Sequence, residues 1–168
     1  MYDAIQMLKP GQSSTSTSLE PLLGIEVEVP TRDLGITTGA PLFANTRLKL
    51  VKASAAIASS NKLFLLWTAT TGSSASTVSA IAGAAAVRAT VAGVALLPGT
   101  GAASGDYFWV AVRGPAVVTC PGVVATNTSI TTDAAGKPTV TGITFDTLVG
   151  QTILATTAAD CIVDVRVR

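Results

Sequence analysis

Any chemistry in this chain must come from a short supply of reactive side chains. Histidine is absent. That removes the commonest general base and metal ligand, and with it any Ser-His or Cys-His nucleophile. Of the ten carboxylates, most sit at turn edges or at outward strand positions. Glu26 and Glu28 share one strand face as a catalytic pair would, but an alternating solvated face accounts for them better. Asp133, in TTDAAGK, opens like a calcium loop yet lacks the further acidic positions a hard cation needs, so it reads as a turn. Cys120 and Cys161 cannot complete a structural zinc site without carboxylate help. Their number permits one disulfide, and two small buried thiols in strands is the favoured reading. No glycine run matches a phosphate loop, and GTGAASG leads into a strand instead of a helix. Asn127-Thr128-Ser129 fits a glycosylation sequon, a short pattern with little meaning outside a secretory context. The expectation is a protein with no catalytic, metal or cofactor site, and not an enzyme.

Three aromatics remain: Trp67, Tyr107 and Trp109. The last two lie on one face of a strand, the geometry of a sugar-stacking platform. Packing in the core or at a subunit interface is the favoured reading.

The elements that would position these residues are strands. Leu23, Ile25, Val27 and Val29 alternate with Gly24, Glu26, Glu28 and Pro30, and Arg47 and Lys49 alternate with Leu48 and Leu50. KLFLLWTA is apolar on both faces, as a central strand is. VSAIAGAAAVRATVAGVALL reads as short strands and turns, with one helical turn near 78–87. DYFWVAVRG is the clearest strand; Gly114-Pro115 is expected to break it, and AVVTC to resume. The final run puts Cys161, Val163, Val165 and Val167 on one face and Ile162, Asp164, Arg166 and Arg168 on the other. A faint echo links Val110-Ala111-Val112-Arg113 with Val163-Asp164-Val165-Arg166, either as equivalent strand ends or by chance. Many short strands with regular turn signals predict an all-β fold, a compact antiparallel β-sandwich or barrel-like domain over residues 23–168.

Residues 1–22 differ. Pro10-Gly11, QSSTSTS and Pro21 separate single apolar residues, Tyr2, Ile5, Met7, Leu8, Leu19 and Leu22. This predicts a short extended N-terminal arm with a Ser/Thr hinge, either a disordered terminus or an anchor on a neighbouring subunit or capsid.

Composition bounds the partners. Only 12% of the 168 residues are charged, about half the usual share. Net charge is +1 with no basic run, which offers nucleic acid no attractive field. Mean hydropathy is +0.53, yet the uncharged stretch between Lys62 and Arg88 is too rich in hydroxyls for a bilayer core. MYDAIQMLKPGQ has no apolar run and is not a signal peptide. A charge-poor, β-branched surface suits a chain whose faces are covered by partners.

The segment GVALLPGTGAASGDYFWVAVRGPAVV resembles tailed-phage capsid decoration (cement) proteins of the small β-rich class. The matching residues are Gly93 to Leu96, Gly105, Asp106, Tyr107, Trp109, Val110, Val112 and Gly114. TDAAGKPTV, TGITFDTLVGQTIL and CIVDVRVR are also similar, so the likeness spans roughly 45–168 and leaves out the arm. It implies a structural virion protein, made in the host cytoplasm, that binds the outer capsid surface as a homotrimer. The partners would be the major capsid protein and the chain itself, with no nucleic acid and no membrane. The alternatives are a carbohydrate- or receptor-binding surface module built on Tyr107 and Trp109, or a tail or fibre subunit.

Overall fold

A computed structural model of the chain describes residues 8–36, 44–57, 62–68, 77–80, 90–120, 122–140, 143, 148–154 and 160–167. Of the expected arm anchors, Tyr2, Ile5 and Met7 lie outside the described residues. So does most of the helical turn anticipated near 78–87; the part that is described, Thr77–Ala80, is strand.

The described strands are β1 (Ser13–Ser14), β2 (Glu26–Pro30), β3 (Asn45–Ala53), β4 (Phe64–Trp67), β5 (Thr77–Ala80), β6 (Val91–Leu96), β7 (Tyr107–Thr119), β8 (Ser129–Thr132), β9 (Pro138–Thr139), β10 (Gly150–Leu154) and β11 (Asp160–Arg166). Two short 3-10 helices, Thr17–Leu22 and Thr31–Leu34, complete the described elements. The all-β expectation is met. Alternation works as read for β2, where Val27 and Val29 are buried between exposed Glu26 and Glu28. It also works for β3, whose Leu48 and Leu50 are fully buried.

Pairing closes a barrel. β3 pairs with β5, β5 with β4, β4 with β6, β6 with β7, and β7 returns to β3. Closure leaves the five barrel strands paired on both sides, and the described sheet ends at β2 and β9 instead. All pairs are antiparallel except β3 with β5, so the sheet is mixed. Beyond the barrel, β2 extends from β3, and β11, β10, β8 and β9 extend from β7.

β7 is the axis of the molecule. Both its faces are covered from Tyr107 to Val112, and both its edges are paired, with β3 on one and β1, β6 and then β11 on the other. Gly114-Pro115 does not break it; β7 runs unbroken for 13 residues. The pairing skips Val112, so that Leu48 faces Ala111 and Arg47 faces Arg113. Gly114 then takes φ +91, where a Cβ would meet the carbonyl oxygen of Asn45 at 2.5 Å. The carbonyl of Pro115 accepts a 2.6 Å hydrogen bond from the buried Thr46 hydroxyl. This bulge absorbs the proline and lets one strand change partner from β6 to β11.

Cys120 and Cys161 form a disulfide, with Cα atoms 6.1 Å apart, which corrects the reading of two free thiols. The β7–β11 register is the cause. It sets Cys161 against Val118 and Asp160 against Thr119, bringing the next residue, Cys120, within bonding reach. No local pattern encodes that proximity across 41 residues.

Candidate interaction surfaces

Two surfaces gather polar side chains around β7. The first is the seat of the N-terminal segment. Leu8 and Leu19 are buried in the same hydrophobic cluster as Leu48, Phe64 and Trp109. Ser13 and Ser14 add two rungs to β7 opposite Phe108 and Tyr107. The Trp109 indole N–H donates a buried 2.7 Å hydrogen bond to the Leu8 carbonyl. Residues 8–22 are thus folded onto their own barrel, with Leu22 packed at its margin.

At the rim of this seat, Lys52 and Tyr107 face each other across β3 and β7 and converge on Glu20. The Lys52 Nζ lies 2.7 Å from Glu20 Oε2, and the Tyr107 hydroxyl donates to that same oxygen. Lys52 also lies over the Tyr107 ring, 5.2 Å from its centre. The hydrogen bond from Lys52, then that from Tyr107, holds the Glu20 carboxyl below its ordinary 4.5. Lys52 is raised above 10.5, first by its bond to Glu20. Tyr107 is raised above 10.0, first because its proton is held by Glu20 and then by burial.

Tyr107 and Trp109 share a face, as the sequence implied, but only 1% and 0% of their surfaces are exposed. The arm covers them, so in this conformation they present no platform to a sugar. Trp67 is half-buried on β4 with the Lys49 ammonium 5.0 Å from its ring centre. Asp133 serves its own turn, accepting from the Ala135 and Lys137 amides at 2.8 and 2.9 Å. Among the described residues no group of three or more His, Cys, Asp or Glu could hold a metal ion. No described helix is long and apolar enough to cross a membrane.

The second surface is one that sequence reasoning missed. A groove of about 810 Å³ is lined by Glu28, Asn45, Arg47, Arg113, Asp164 and Arg166, among others. Register explains its floor. Glu28 pairs with Arg47, Arg47 with Arg113, and Arg113 with Arg166, so one rung crosses four strands. Glu28 and Glu26 lie 3.3 and 3.6 Å from the Arg47 guanidinium, so they are ion-pair partners as well as solvated residues. Asp164 lies 2.8 Å from Arg166. Arg113, exposed between the other two arginines, has no ion pair or side-chain hydrogen bond among the described residues. The repeated Val-X-Val-Arg was the available signal, since its two arginines are direct cross-strand neighbours.

No family model matches the chain, and no curated protein matches it. Among solved structures it is similar to the N base of the head fibre protein gp8.5 of bacteriophage phi29. Identity is 15% and the TM-score 0.47, over 70% of this chain and 92% of that one.

Proposed function

We propose that this chain is a structural protein of a phage head, and more narrowly a decoration subunit that binds the outer capsid surface and stabilises capsomer contacts. The observation that carries the reading is the segment from Gly93 to Gly114. Its residues resemble the decoration class, and they build the β6–β7 pair at the centre of the barrel. The glycines of that pattern are there for backbone reasons: Gly93, Gly105 and Gly114 adopt φ of +146, +89 and +91. The pattern therefore encodes one particular barrel core and not a generic run of small residues. A decoration subunit works by distributed burial, in which several modest contacts engaged together give an avidity none has alone. A barrel with its arm folded home and few charges is suited to that role.

The sugar-binding alternative has lost its supporting observation, because Tyr107 and Trp109 lie beneath the arm. The test is mass spectrometry and electron microscopy of purified particles, with the native mass of the isolated protein. A trimer of the 16.9 kDa chain, found as density on the outer face of heads, is the expected result. A monomer absent from every particle overturns the proposal.

A further inference from the structure

We propose that the groove floored by Arg47, Arg113 and Arg166 is a docking site for carboxylates of an acidic protein segment, with Arg113 as the receiving group. The starting point is a broken rule. Like charges directly opposite on neighbouring strands destabilise a sheet, yet Arg47, Arg113 and Arg166 occupy consecutive positions on one rung. The outer two are compensated within the chain, Arg47 by Glu26 and Glu28 and Arg166 by Asp164. The central one has no such partner among the described residues. Its planar fork of donors suits the bidentate capture of a carboxylate.

The surroundings select among anions. Glu28 and Asp164 flank the arginines in the same groove, so a polyphosphate backbone laid along it would meet two carboxylates. The whole chain carries only +1, which gives nucleic acid no long-range attraction. A protein side chain delivers a single compact charge between those flanks. Strands about 4.8 Å apart place the outer arginines roughly 10 Å from each other. One acidic side chain of an extended segment therefore enters at Arg113, since the outer arginines are already held by Glu26, Glu28 and Asp164. The inference stands on the groove alone and holds whether or not the chain sits on a phage head.

The experiment is an NMR titration of the intact protein with a hexaglutamate peptide at low and physiological salt, reading the arginine Nε–H resonances. The expected result is a shift at Arg113, with affinity falling about ten-fold or more in Arg113→Ala, since a hydrogen bond between charged groups is worth that much. Arg113→Lys should lose less, because it keeps the charge without the fork. Arg32→Ala is the control: it removes the same charge from an exposed pair with Asp33. Thermal unfolding of each variant verifies folding, and the exposed position of Arg113 makes its replacement tolerable. Failure of the peptide to bind overturns the proposal. So does an equal loss in Arg32→Ala, which would mean attraction without a site. Ten-fold tighter binding of oligothymidylate with the same dependence on Arg113 overturns the carboxylate assignment in favour of nucleic acid.

Discussion

Single side chains make the fold fragile at a few predictable points. Gly93 has φ +146, and a Cβ there would run into the Ala111 carbonyl of the paired strand. Gly93→Ala should therefore cost about 2–4 kcal/mol, read as a lower urea midpoint with unchanged slope. Trp109 is a subtler case. Trp109→Phe keeps most of the buried ring but leaves the Leu8 carbonyl without its donor. The expected loss is about 1–3 kcal/mol by denaturation. Sequence alone marked Trp109 as a packing residue or a ligand platform. It gave no sign that the indole proton is committed to a backbone atom 101 positions away, because such a bond exists only once the chain has folded back.

The N-terminal segment behaves as an element whose attachment depends on pH. Glu20 is lowered below 4.5, so the docked arm binds fewer protons there than the free arm does. Its contribution is fully present above pH 4.5 and fades as pH falls through the docked value. Lys52 and Tyr107 are raised above 10.5 and 10.0. Their contributions are present below those values and are lost as pH rises through the docked ones. Docking should therefore hold on a plateau between about pH 4.5 and 10 and loosen on either side. Hydrogen exchange at the Trp109 indole N–H, protected only while Leu8 sits on it, measures this directly. In Glu20→Gln the acid limb should disappear, and protection should be lower across the plateau. Because Glu20 is half-exposed, with 52% of its side chain accessible, solvent screening keeps the effect small. The apolar residues of the arm were legible in the sequence, since isolated leucines among serines need somewhere to go. Their destination was not, because a two-residue strand leaves no periodicity to read.

At the scale of the whole molecule, β7 joins the barrel to the sheet that carries β11, β10, β8 and β9, and the disulfide ties that junction. Closing a loop across 41 residues removes about 3–4 kcal/mol of unfolded-state freedom. Reduction, or Cys120→Ser with Cys161→Ser, should lower the melting temperature by a comparable stability loss while leaving the β signature of the circular dichroism spectrum intact. The barrel itself should persist, since its closing pairs involve neither cysteine.

Local pattern determined the strand class, most strand positions and the buried faces of β2, β3 and β11. Alternation of apolar and polar residues is a property of neighbours along the chain, and burial of one face follows from it. Turn chemistry at Asp133 was equally local: its carboxylate accepts from amides within four residues of itself. What only the tertiary structure decided depends on register between distant strands. That covers the barrel closure, the Cys120–Cys161 bond, the survival of β7 through Gly114-Pro115 and the burial of Tyr107 and Trp109. The chemistry-bearing residues followed the same division. The Val-X-Val-Arg echo hinted that Arg113 and Arg166 are equivalent, but nothing in the sequence joined Arg47 to them, because a cross-strand rung is set by hydrogen-bonded pairing of backbones, and pairing leaves no mark on spacing along the chain.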